Sequence, residues 1–333
     1  MRLTKKQWIQ VAVSLIVAIW IFWFLYKDIS FDALLEALSQ TSMFWFGLSV
    51  LVSLIGFWVR AWRWRLLIDA GESQKTTTIR TFWALMIGYL ANLLVPRAGE
   101  VARCGVLTKT EDRQMGKLLG TVILERTFDL LFMVGIIFLA FILESDLFVR
   151  LSSELVSLDS MKEKIIQSLP ILIGGVVVAL IFVYLVFQKY RNSSLFKKIR
   201  HFLRDLVNGV ISLKKVDNQL GFWGSSVFIW ITYYLMLIFM AWAIPSTASL
   251  SLSAMLMVMV MGTIGMVAPV QGGIGTFHAL VAFILMAYGL SNEEGKIFAA
   301  IIHGSQVLTV IILGLISLGF FFKITAKKES KTS

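Results

Sequence analysis

The chain has 333 residues, 58% of them apolar and only 15% charged, and a mean hydropathy of +0.81. A soluble domain carries roughly 25% charged residues, so a water-soluble enzyme or binding module is excluded as the main architecture. The net charge of +11 is no nucleic-acid signature, because most basic residues fall in loops on one side of the apolar blocks, and the lone Cys104 excludes an intramolecular disulfide and a cysteine-based metal site.

The apolar blocks suit a hydrocarbon core of about 30 Å, which takes roughly 20 helical residues to cross. Alternating strand patterns are missing, so a β-barrel is not expected. The basic start Met-Arg-Leu-Thr-Lys-Lys precedes the uncharged run Trp8–Tyr26, which is too long for a signal peptide and lacks a small-x-small cleavage site. It reads as a retained first span with a cytoplasmic N-terminus. Next comes a short amphipathic helix with Phe31, Leu34, Leu35 and Leu38 on one face and Asp32 and Glu36 on the other. A second span, about Met43–Val59, returns to Arg60-Ala-Trp-Arg-Trp-Arg65. Aromatic residues between arginines at a span end suit an interfacial anchor, with lipid head-group recognition as the alternative.

Thr81–Val95 is apolar until Pro96-Arg-Ala-Gly-Glu100 interrupts it. A re-entrant hairpin, at about 80–116 with its tip at Pro96–Glu100, keeps the flanking basic loops on the cytoplasmic side. Non-helical backbone at such depth survives only against protein or a wet cavity. Gly116–Leu143 is the next full span, and Leu169–Gln188 returns to the basic loop Lys189–Lys215, whose Leu195, Ile199, Phe202, Leu206 and Val210 form a stripe suited to the anionic inner leaflet. Phe222–Ile244 crosses outward. Ser251–Ala268 is then broken by Pro269-Val-Gln-Gly-Gly-Ile-Gly275, giving a second hairpin at about 251–290, and Ile297–Phe322 ends at cytoplasmic Lys323, Lys327 and Lys328.

The expected fold is all-α: about six full transmembrane helices plus two oppositely oriented re-entrant hairpins, an inverted-repeat arrangement resembling transporters. Residues 1–328 form one polytopic domain and 329–333 a cytoplasmic tail. Interrupted apolar segments in corresponding positions of two halves point to a site at the midplane.

Charged groups inside membrane segments usually face a bundle interior or a cavity. Arg97, Glu100 and Arg103 lie in the first hairpin, and Glu125, Arg126 and Asp129 in the following span. Three cations and three anions sum to zero, as partly buried charges should. They are either structural pairs, or a site whose arginines exchange carboxylate for phosphate oxygens. Gln271, Gly272, Gly273 and Gly275 form either a packing turn or, with a half-helix N-terminus behind them, an anion-attracting turn. His278 and His303 sit in apolar helices as interhelical contacts or proton carriers. With three His in all, no His-x-x-x-His and no nucleotide loop, neither metal nor cofactor is expected.

Arg60–Arg65, Pro96-Arg-Ala-Gly-Glu-Val-Ala-Arg103, Leu124-Glu-Arg-Thr-Phe-Asp129 and Pro269-Val-Gln-Gly-Gly-Ile-Gly275 together resemble the transmembrane, flippase-like region of bacterial lysylphosphatidylglycerol synthases, over roughly residues 5–322. In the full-length synthases this region is implicated in moving an aminoacylated lipid between leaflets, while a soluble C-terminal domain attaches the lysine. The chain stops at Ser333, so that domain is not expected and the resemblance implies no lysyltransferase activity. Many relatives carry Glu where this chain has His278. The resulting expectation is a non-enzymatic translocator of anionic or lipid-linked membrane lipids in the cell (inner) membrane, both termini cytoplasmic. A scaffold for a lipid-modifying enzyme and a lipid-linked transferase are the alternatives.

Overall fold

The computed structural model describes residues 31–147, 216–268 and 270–332, together with Ile16 and Trp23. The expected spans Trp8–Tyr26 and Leu169–Gln188, the stripe from 195 to 210, and Pro269 lie outside the described residues. Packing divides the chain into two units, Met1–Ala140 with Lys214–Ser333, and Phe141–Leu213. Of the second unit, only residues 141–147 are among those described.

Every regular element among the described residues is helical. In chain order these are α1 (Phe31–Gln40), α2 (Met43–Ile68), α3 (Thr78–Leu94), α4 (Gly99–Glu111), α5 (Met115–Leu143), α6 (Gln219–Ala243), α7 (Leu252–Val267), α8 (Thr276–Ala287) and α9 (Asn292–Thr332), with a 3-10 turn at Gln271–Gly273. Helices α2, α5, α6 and α9 are long and apolar enough to cross a membrane. Their outer faces carry exposed Leu, Ile, Phe and Trp, as lipid contact requires. This is a multi-pass membrane protein.

Two boundaries differ from the sequence reading. Helix α2 continues past Val59 to Ile68, so Arg60 and Arg63 lie within it and are buried, not at an interface. Helix α9 absorbs the expected loop at 291–296. Ser291 Oγ accepts from Glu294 N–H at 3.1 Å and Glu294 Oε2 from Ser291 N–H at 2.8 Å, a reciprocal cap.

Apolar burial drives little association between helices in lipid, so small residues and interhelical hydrogen bonds hold the bundle. Helices α2 and α6 run antiparallel along such a seam. Ser42 N–H donates to Ala243 O at 2.8 Å, Ser49 Oγ to Met236 O at 2.8 Å, and a Cβ on Gly56 would lie 2.8 Å from Thr232 Oγ1. Helices α3 and α4 fold back on each other around Gly88 and Gly99, where a Cβ on Gly99 would come 2.2 Å from Gly88 O. Asn92 Oδ1 closes that turn by accepting from Gly99 N–H at 2.7 Å. Helices α7 and α8 do the same around Gly265, whose Cβ would lie 2.7 Å from Phe277 Cα, and Thr276 Oγ1 donates to Gly265 O at 2.7 Å.

Helix α9 packs on both pairs. Its first half meets α8, with Gly295 against Ala282, and its second half meets α3, with Gly314 against Leu90 and Phe320 stacked on Trp83 at 4.7 Å. The open end of α3–α4 is tied by Arg80–Glu111 at 3.3 Å and by Lys328 to Asp112, near the α9 C-terminus. The open end of α7–α8 lies instead against the α9 N-terminus, four residues after Ala287.

Candidate functional site

Helix α2 places Ser49, Ser53, Gly56, Arg60 and Arg63 on one buried face, at alternating four- and three-residue spacing. Where the small residues end, the two arginines begin and reach α5. Arg60 Nε donates to Glu125 Oε1 at 3.1 Å, its Nη2 to Asp129 Oδ2 at 2.8 Å, and its Nη1 to Tyr233 Oη at 2.6 Å. Arg63 Nη2 reaches Asp129 Oδ1 at 2.6 Å and Glu125 Oε1 at 3.4 Å, and its Nη1 donates to Ser226 Oγ at 3.4 Å. Helix α4 brings Arg103 to the other carboxylate oxygen, Nη2 to Oε2 at 2.7 Å, with the guanidinium 4.3 Å over the Trp64 ring. Trp64 is itself held by Thr121 Oγ1 at 3.0 Å.

The network has a dry centre and an open edge. The Glu125 side chain is 0% exposed, Asp129 18%, Glu100 28% and Arg126 43%. At that edge Arg126 bridges Glu100 at 3.2 Å and Asp129 at 3.5 Å. Glu125 follows Met115 by ten residues, so it lies about 15 Å along α5. A carboxylate at that depth is tolerable only with charge partners, and three guanidiniums surround it.

Of the residues singled out in the sequence, Glu100, Arg103, Glu125, Arg126 and Asp129 are joined here. Arg97 is not. Its Nη2 donates to Val267 O at 3.1 Å, across to the end of α7. Its backbone is left-handed, φ 59°, which ends α3 at the Pro96 turn. Arg60 and Arg63 are the members that the sequence reading misses, and it puts Arg97 in their place. The network therefore sets four guanidiniums against three carboxylates and carries one positive charge, not zero.

The second break meets the first. A Cβ on Gly272 would lie 2.8 Å from Leu93 Cδ2, beside the Arg97–Val267 contact. Gly272, Gly273 and Gly275 have φ of 57°, 75° and 88°, which side chains rarely adopt. Gly275 N–H donates to His278 Nδ1 at 3.2 Å, so His278 carries its proton on Nε2. That proton is directed at His303 Nδ1, 3.3 Å away, and His303 Nε2–H in turn donates to Gly272 O at 2.9 Å. Two neutral imidazoles pin both ends of the glycine turn to α9. Gln271 is buried in the same turn.

A multi-pass helical bundle with a buried arginine–carboxylate network beside two contacting helix breaks defines an integral membrane protein of lipid metabolism or transport. Residues 8–314 match the family described as Lysylphosphatidylglycerol synthase TM region, and the chain belongs to that family. No curated protein and no solved structure matches it.

Proposed function

We propose that this protein translocates an anionic or lipid-linked membrane lipid between leaflets, without enzymatic activity of its own. The observation that carries this reading is the guanidinium-lined carboxylate of Glu125, about 15 Å along α5 yet continuous with a half-exposed edge at Arg126. Arginine forks suit phosphate oxygens as well as carboxylates, so the network can exchange partners with a head group without leaving charges bare.

Helices α3, α4, α7 and α8 have 17, 13, 16 and 12 residues, about 26, 20, 24 and 18 Å at 1.5 Å per residue. Each falls short of the roughly 30 Å hydrocarbon thickness. We read the two pairs as re-entrant hairpins of opposite sense whose tips meet inside the bilayer. The basic loops at the α2–α3 and α4–α5 ends then face the cytoplasm. The head group passes beside the tips while its acyl chains stay in lipid.

The test is a vesicle assay in which a labelled anionic lipid, inserted in one leaflet, is followed into the other. Wild-type protein should accelerate the exchange, and Arg126→Gln, at the exposed edge, should slow it markedly while still folding. Equal rates for the two would sink the proposal. The saturated hydrogen bonding of Glu125 favours a second reading, a non-transporting scaffold, in which exchanging Arg103 and Glu125 restores all function.

A further inference from the structure

We infer that the network selects a singly charged phosphodiester head group and rejects one to which a cationic group has been added. The inference rests on the translocation reading and narrows its substrate class.

Charge and unmet hydrogen bonds agree. Arg60, Arg63, Arg103 and Arg126 against Glu100, Glu125 and Asp129 leave one positive charge in a largely dry site. Two nitrogens of these guanidiniums, Arg63 Nε and Arg103 Nη1, are buried without a hydrogen-bond partner among the described residues. Both side chains hold Glu125, one at each carboxylate oxygen. A buried charged donor without an acceptor is strongly unfavourable, so the site is short of one anion bearing acceptor oxygens. A phosphodiester supplies one charge and two unesterified oxygens, matching that deficit in both respects. A lipid with an added ammonium brings a cation into a site where cations already prevail, and like charges repel strongly when desolvated. A phosphate monoester, at about −1.5 to −2, overshoots. The half-exposed Arg126–Glu100 pair is where the charge sum can be altered without opening the dry centre.

Binding decides this without a second leaflet, so a protein that fails to translocate can still uphold it, and a translocator can still refute it. Purified full-length protein in micelles is titrated with dioctanoyl phosphatidylglycerol, phosphatidic acid, phosphatidylcholine and lysylphosphatidylglycerol, and with deacylated glycerophosphoglycerol. Phosphatidylglycerol should bind about tenfold or more tightly than phosphatidylcholine or the lysylated lipid, as for a lost charge-assisted bond. Arg126→Gln brings the sum to zero and should abolish that preference. Glu100→Gln raises the sum to two positive charges and should turn the preference toward phosphatidic acid. An unchanged order of affinities in both variants overturns the inference, as does lysylated lipid binding as tightly as phosphatidylglycerol. Equal binding of the deacylated head overturns a lipid as its source. If a variant does not fold, the wild-type ranking alone decides.

Discussion

Arg103 and Glu125 meet at 2.7 Å with neither side chain more than 3% exposed, and Arg60 and Arg63 hold the opposite oxygen of the same carboxylate. Glu125 is thus the hub of the bundle, shared by α2, α4 and α5. Removing it strands three guanidiniums, whereas removing Arg103 leaves Glu125 two partners. Glu125→Ala should destabilise by about 3–5 kcal/mol, the range for breaking a buried pair, and Arg103→Met by less than half of that. Denaturant unfolding in micelles, followed by tryptophan fluorescence, measures both; equal losses would argue against the hub.

The crossing of α3 and α4 depends on Gly99. Its Cβ would sit 2.2 Å from Gly88 O, a backbone atom that cannot rotate away, while nothing lies within 4 Å of a Cβ on Gly105 in the same helix. Gly99→Ala should cost about 1–3 kcal/mol by overpacking, and Gly105→Ala should be neutral or slightly stabilising through helix propensity. The same unfolding measurement compares them.

Both imidazoles of the histidine pair should be Nε2–H tautomers. Nitrogen-15 NMR of histidine-labelled protein reads this directly, and an Nδ1–H signal from His278 would contradict the hydrogen bond from Gly275. A double-mutant cycle with His278→Ala and His303→Ala should give a coupling of about 0.5–3 kcal/mol.

Outside the membrane helices, Glu72 in the α2–α3 loop accepts from Lys117 at 2.9 Å, and this bond holds its carboxyl below the usual carboxylate range. A group whose folded value is lowered stabilises above its unfolded value and loses that contribution as pH falls through the folded one. Acidification from neutral pH should therefore loosen the tie between this loop and the start of α5. Glu72→Gln should remove that portion of the pH dependence, read as protease susceptibility of the loop against pH.

The spans and both breaks were legible because hydropathy and Pro/Gly interruptions are local properties. Pro96 and the glycines at 272, 273 and 275 mark where helices end whatever packs around them. Partners were not legible. Arg97 and Arg103 look equivalent in sequence, yet the left-handed turn at Arg97 sends its side chain to Val267 and the helix sends Arg103 to Glu125. For Arg60 and Arg63 a signal does exist: they continue the spacing of Ser49, Ser53 and Gly56, so the face that packs most closely runs straight into them. The aromatic residues between them mimic an interfacial belt and mask it. Ser291 and Glu294 likewise spell a helix start inside a stretch whose acidic residues suggest a loop.

The central claim is that a lipid head group moves past the two contacting tips, and locking those tips tests it most directly. In a Cys104→Ser background, Arg97→Cys with Val267→Cys places thiols where the tips now touch. A short bis-methanethiosulfonate linker then joins them in the reconstituted protein. Lipid exchange should stop on cross-linking and return on reduction in the same vesicles; exchange at full rate with the tips joined would contradict the account.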